Sequence, residues 1–178
     1  AEDAETAPLN VYGQTKADGE LAVLAAHPGA LVVRTSWVYA PEGQNFVCTM
    51  LRLAAEKDAL NVVSDQIGRP TEAHALAEAL IDLAAQLRAG AEGGLLHVTN
   101  TGEASWRDLA EAAIGGAGLS TPVTGIPTSA WPTRARRPGD TRLDLTRARD
   151  VYGIELPGWR DSLERCLEMM GLGGRRAS

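Results

Sequence analysis

The chain has 178 residues, 44% apolar and 22% charged, a balance that suits a folded protein with a sizeable core in one domain or one and a half. Lys and Arg number 17 against 23 Asp and Glu, a formal charge of −6, which disfavours general binding to nucleic acid or to an anionic membrane. No apolar run approaches the ~20 residues that span a bilayer and no signal peptide opens the chain, so a cytoplasmic protein is expected.

Residues 10 to 27 read as a helix with Leu21, Ala22, Leu24 and Ala25 on one side, stopped by Pro28-Gly29. The Val-rich run ALVVRTS, 30 to 36, predicts a buried parallel strand. A second helix spans 45 to 57, a short strand 60 to 63, and a loop, SDQIGRPT, 64 to 71. Over 72 to 87 a helix carries Leu76, Leu80, Leu83 and Leu87 as one apolar face. Residues 95 to 98 form another strand. Ser105-Trp106-Arg107-Asp108 has the form of a capping box opening a helix to about 117. The stretch 120 to 141 reads mostly as loop, ending in the basic run RARRPGD. Residues 146 to 152 form a short helix, and Pro157 opens a last one with Trp159, Leu163, Cys166, Leu167 and Met170 inward. Residues 173–178 read as a disordered tail.

Strand and helix alternate over the first hundred residues, the pattern of a parallel α/β sheet. Cys48 and Cys166 sit in apolar helical patterns and read as buried free thiols. No cysteine or histidine spacing marks a metal site. His97, inside a strand, reads as a core histidine.

Four stretches carry chemistry. Tyr12 and Lys16 stand four residues apart at the head of a helix, a spacing that rises about 6 Å and returns to nearly the same face. An ammonium beside a phenol favours the phenolate, and a tyrosine so placed can exchange a proton with a substrate oxygen. Trp37 follows a strand end, where ligands of parallel sheets sit, and can stack on a sugar; backbone near Arg34 and Ser36 is placed to face a nicotinamide. Asn45, with Gln44 beside it, opens a helix, where an asparagine either caps backbone amides or, with the helix N-terminus, meets a phosphate. Arg134, Arg136 and Arg137 offer planar donors for a diphosphate in an otherwise acidic chain, the alternative being a solvated basic loop. Without interleaved aromatics, this cluster is no nucleic-acid platform.

PLNVYGQTKADGE, VVRTSWVYAPEGQNFVCTMLRLA, VVSDQIGRPT and ARRPGD with LDLTRA follow one another in an order that resembles the extended short-chain dehydrogenase/reductases, and within them the dTDP-4-dehydrorhamnose reductase family, over about residues 5 to 170. The resemblance implies an α/β fold: the C-terminal part of a Rossmann-like parallel sheet domain plus a smaller mixed substrate-binding lobe. Residues 1–37 and 72–100 fall to the first, 38–71 and 101–172 to the second. It implies NADPH- or NADH-dependent reduction of the 4-keto group of dTDP-4-dehydro-6-deoxy-L-mannose, with Tyr12 and Lys16 catalytic. Tyr12, Lys16, Arg34 and Ser36 then face the cofactor, and Trp37, Asn45, Arg136 and Arg137 the substrate. The loop ARRPGD is also similar to the diphosphate clamp of UDP-galactose 4-epimerase-like enzymes. Some family members hold Mg2+ between subunits, a role for which no carboxylate cluster presents itself here. Helices 10–27 and 43–57 match the usual pairing surface of a homodimer.

The family's Gly-rich cofactor turn and its Ser/Thr partner of the tyrosine are not in this sequence, which opens AEDAETA with neither Met nor strand. A fragment lacking the N-terminal cofactor-binding half is therefore expected, inactive alone. Two other readings stay open: a non-catalytic regulatory subunit of the family, and a 4-ketoreductase of another dTDP-deoxysugar in antibiotic biosynthesis.

Overall fold

The computed structural model describes residues 1–131, 133, 135 and 137–173. Asn10 begins α1 (Val11–Ala26), its side chain accepting the Gly13 N–H at 2.9 Å. Then come β1 (Leu31–Arg34), β2 (Val38–Tyr39), α2 (Phe46–Glu56), β3 (Leu60–Val63), β4 (Ile67–Gly68), β5 (Thr71–Glu72) and α3 (Ala73–Arg88). They are followed by β6 (Gly94–His97), β7 (Asn100–Thr101), β8 (Ala104–Ser105), α4 (Trp106–Gly116), β9 (Val123–Ile126), α5 (Thr146–Tyr152), β10 (Leu156–Gly158) and α6 (Trp159–Met169).

The fold is α/β, as the alternation implied. β1 lies parallel to β6 with Leu31 opposite Gly94 and Arg34 opposite His97. β3 lies parallel to β9, β2 to β5 and β10 to β7, whereas β4 and β8 are antiparallel. Two stretches expected as loop carry strands. The run 64–71 contains β4 and the start of β5, and 120–141 contains β9. β9 escaped notice because Gly125 interrupts it. Any side chain there would meet Arg107 Cδ at 2.9 Å and Ser64 Cβ at 3.0 Å, so close packing selects the glycine.

Three apolar clusters hold these elements. One joins α3 and β6 to α5 and β10 through Ala75, Ala79, Leu83, Leu96, Ala148 and Tyr152. A second joins α2, α4 and α6 through Val47, Leu51, Leu109, Trp159, Leu163 and Leu167. The third seats β3 on α2 and α4 through Met50, Ala54, Val62, Ala110 and Ile114. On α3 the buried stripe is Ala75, Ala79 and Leu83, while Leu80 is 40% exposed. The expected leucine face is thus rotated, because small alanines let the helix lie close on β6 and α5. On α1 no side chain is buried, and Leu21 is 70% exposed despite the apolar face read from the sequence. Within this chain α1 meets chiefly β1, where Arg34 holds Glu20 with two hydrogen bonds, Nε to Oε1 at 2.8 Å.

Cys166 is buried and free, its thiol pushed up to about 12 by burial first and nearby Glu72 second; Cys48 is free and only half-buried. His97 is buried, and its Nδ1 carries the proton, since it faces the Asp144 carbonyl at 3.1 Å. None of the described helices is long and apolar enough to cross a membrane.

The junction between the clusters is polar. Asn100, wholly buried, accepts the Glu72 N–H at 2.7 Å and donates to the Pro157 carbonyl at 2.9 Å and to Ser162 Oγ at 2.7 Å. Glu72 caps α3, taking the N–H groups of His74 at 3.0 Å and Ala75 at 2.9 Å and lying 2.8 Å from His74 Nδ1. Burial pushes the Glu72 carboxyl up, but these bonds outweigh burial and hold it below the ordinary carboxylate range. A folded value below the unfolded one means the ionised cap stabilises the protein fully above the unfolded value, ~4.3 for glutamate, and loses that contribution as pH falls through the folded value. Urea unfolding midpoints should therefore drop more steeply between about pH 5 and pH 3 in the unaltered protein than in Glu72→Gln. Parallel curves would assign the acid sensitivity to other carboxylates.

Candidate active site and nucleotide slot

Tyr12 and Lys16 stand on the first turns of α1, with Lys16 Nζ 5.5 Å from the Tyr12 ring centroid, cation–π range. The helix spacing thus brings the two together as expected. Tyr12 is 71% exposed, so its phenol is open to an incoming substrate. Beyond β1 the chain makes a sharp change of direction. Trp37 has φ +49, a left-handed backbone that side-chain-bearing residues adopt only when the surroundings enforce it, at a cost of about 1–3 kcal/mol. The enforcing contacts are visible. The Trp37 carbonyl accepts Thr71 N at 3.1 Å, and its indole lies on Trp106 with ring centroids 3.6 Å apart and planes 10° apart. Gly68 packs against the Cε2–Cζ2 side of the ring so closely that a Cβ there would fall 2.5 Å from Cε2. Trp106 therefore covers one indole face, Gly68 crowds the Cε2–Cζ2 atoms, and Trp37 as a whole is half-buried.

Trp106 is fixed in turn. Ser105 and Asp108 form the expected capping box, which sets the start of α4 and the direction of the indole. Trp106 Nε1 donates to Gln66 Oε1 at 3.1 Å, Gln66 Nε2 donates to Thr128 Oγ1 at 3.0 Å, and Thr128 binds Asp65 through both its amide and its hydroxyl. The Asp65 carboxyl is held below its usual range chiefly by the Thr128 hydroxyl. The loop 65–71 is thus a wall rather than a free turn.

Behind Trp106 opens a slot of about 410 Å³ lined by Phe46, Met50, Leu53, Val62, Trp106 and Trp131. Arg137 stands at its margin, and no described residue makes a hydrogen bond or ion pair to it. The segment after Arg137 is tied down because Ile67 N donates to Gly139 O at 2.9 Å and Thr141 N to Ile67 O at 2.8 Å. An apolar, aromatic cleft with an arginine at its rim suits a flat heterocycle carrying a phosphate group.

The other expected contacts lie as follows. Arg34 binds Glu20, and Ser36 Oγ donates to the Arg69 carbonyl at 2.8 Å, so both side chains are engaged within the chain. Asn45 caps α2, accepting Cys48 N at 3.0 Å and donating to Ala40 O at 2.9 Å and Glu42 O at 3.1 Å. Its side chain therefore holds the turn 40–45 in place. Arg134 and Arg136 lie outside the described residues. Among the described residues no group of three or more His, Cys, Asp or Glu converges as a metal site. A second hollow, about 480 Å³, lies by Arg69, His97 and Arg142, but its arginines are engaged: Arg142 by Asp140 and Glu103, Arg149 by Asp150, and Arg69 Nη1 by the Gly102 carbonyl.

Phe46, Trp106 and Trp131 were not singled out from the sequence. The available signal was compositional: the chain has four tryptophans, and all but the core residue Trp159 gather at this slot or stack on its wall.

Residues 1–171 match the family model described as the RmlD substrate binding domain. The chain belongs to this family. It is 39% identical over 183 residues to a dTDP-4-dehydrorhamnose reductase of Sinorhizobium fredii, covering 99% of this chain and 62% of the relative. It is 42% identical over 172 residues to that of Salmonella typhimurium, covering 93% and 58%. Among solved structures it is similar to a Clostridium acetobutylicum dTDP-4-dehydrorhamnose reductase (TM-score 0.88, 33% identity, 96% and 59% covered). It is also similar to the Bacillus anthracis reductase in complex with NADP (TM-score 0.86, 34% identity, 94% and 58% covered). The chain of this RmlD-family protein thus spans about three fifths of the length of the curated relatives it matches.

Proposed function

We propose that this chain forms the substrate-side part of a cytoplasmic reductase that converts the 4-keto group of dTDP-4-dehydro-6-deoxy-L-mannose to a hydroxyl with NADPH or NADH. The base occupies the slot between Phe46, Trp106 and Trp131. Arg137, with Arg136 beside it in sequence, neutralises the diphosphate. The hexose rests against Trp37. Tyr12 gives its phenolic proton to the carbonyl oxygen as the carbonyl carbon is reduced, and regains one from solvent; Lys16 stands beside the phenol and binds the nicotinamide ribose. A bound nicotinamide supplies the hydride. Asn45 serves by holding the 40–45 turn, and the backbone around Arg34 and Ser36, rather than their engaged side chains, borders the nicotinamide. Residues 1–37 and 72–100 make the cofactor side and 38–71 and 101–172 the substrate lobe, with α5 returning to pack on α3 and β6.

The observation that carries this reading is the aromatic slot with an arginine at its rim that no described residue engages. It is tested by calorimetric titration of dTDP and of thymidine into the intact protein and into Arg137→Ala. Loss of a charge-assisted contact to phosphate should weaken dTDP by roughly tenfold or more and leave thymidine nearly unchanged. Equal weakening of both ligands, or of neither, removes Arg137 from diphosphate recognition.

A further inference from the structure

We infer that Trp106 is the positioning residue of this site, holding the Trp37 indole against the hexose while walling the nucleotide slot, so that one ring sets the register between the two halves of a nucleotide sugar. The inference rests on the nucleotide-sugar reading above. It stands on four observations. Trp37 has a left-handed backbone, so its orientation depends on what packs against it. The packing partner is Trp106, stacked at 3.6 Å and 10°. The same Trp106 lines the slot and touches Phe46, ring centroids 4.7 Å apart. Trp106 is itself pinned through Nε1 to a Gln66 that is 7% exposed and braced by Thr128 and Asp65. An unbroken chain thus runs from the β4 side of the slot, through one indole, to the ring that meets the sugar. Trp106 touches the nucleotide but acts on the hexose only through Trp37.

The test is the ratio of dissociation constants for dTDP and dTDP-L-rhamnose, measured on the intact protein, on Trp106→Phe and on Trp37→Phe, and on both together. Stacked aromatic pairs contribute enough that loosening one should cost the hexose half roughly three- to tenfold. We expect Trp106→Phe to lower the ratio Kd(dTDP)/Kd(dTDP-L-rhamnose) by that factor. The double variant should lose no more than the worse single one, because both act through one contact. Far-UV circular dichroism should lose the exciton couplet of two stacked indoles in either single variant while the helical signal persists. Gly68→Ala, which drives a methyl into the Trp37 ring, should lower the same ratio with both tryptophans present. An unchanged ratio in Trp106→Phe, or additive losses in the double variant, overturns the inference and leaves dTDP binding intact as a separate finding. If the unaltered protein binds no dTDP at all, the inference falls together with the reading on which it rests.

Discussion

Replacing Tyr12 by Phe in the intact protein should lower kcat by about 10²–10⁴-fold, the usual worth of a positioned general acid, and leave KM for the dTDP-sugar within a few-fold. The aromatic ring stays, so the helix start, the Asn10 cap and the contact with Lys16 persist; only the hydroxyl that carries the proton goes. Steady-state kinetics with NADPH decide it. Because Tyr12 is 71% exposed and packs into none of the three clusters, a folding defect cannot masquerade as lost chemistry. Undiminished turnover would move the acid elsewhere and with it the active site.

The second large effect is on stability. Asn100→Leu should cost about 3–5 kcal/mol, seen as a fall in Tm of roughly 6–20 °C. The amide serves three partners at once: Glu72 N, Pro157 O and Ser162 Oγ. Leucine has similar bulk and offers no hydrogen bond, so three polar partners lose theirs, two of them on the buried residues Glu72 and Ser162. The loss falls at the joint between β7, β10, the cap of α3 and α6, none of which can slide to find water. Ser162→Ala, which removes one of the three, should cost about 1 kcal/mol. Differential scanning of both variants checks the ordering; equal small effects would mean that the joint relaxes.

Helices were legible where a side chain marks their start. Asn10, Asn45 and Ser105 each accept a backbone N–H three residues on, and each stands where the apolar pattern begins. The two- and three-residue strands β2, β4, β5, β7, β8 and β10 were not legible, because their pairing is fixed by partners far along the chain and leaves no period to read. In α3 the leucine spacing identified the helix but misplaced its buried stripe, since close approach favoured Ala75 and Ala79 over Leu80. The closeness of Tyr12 and Lys16 was readable from helix spacing, and the place of Trp37 beyond β1 from the strand pattern. The slot was not: Phe46 and Trp106 open two helices and Trp131 lies in the segment after β9, and only the pairing of β3 with β9 and the packing of α2 on α4 bring them together. The backbone near Arg34 and Ser36, at the end of the predicted strand, was read as facing the cofactor. Nothing local shows that Glu20 and the Arg69 carbonyl engage the two side chains.

The most direct measurement is a crystal structure of the intact protein with dTDP-L-rhamnose. The account predicts the thymine in the slot between Phe46, Trp106 and Trp131, a diphosphate oxygen on Arg137, and the deoxyhexose against Trp37. A nucleotide sugar seated instead in the hollow by Arg69, His97 and Arg142, with the aromatic slot empty, would contradict it.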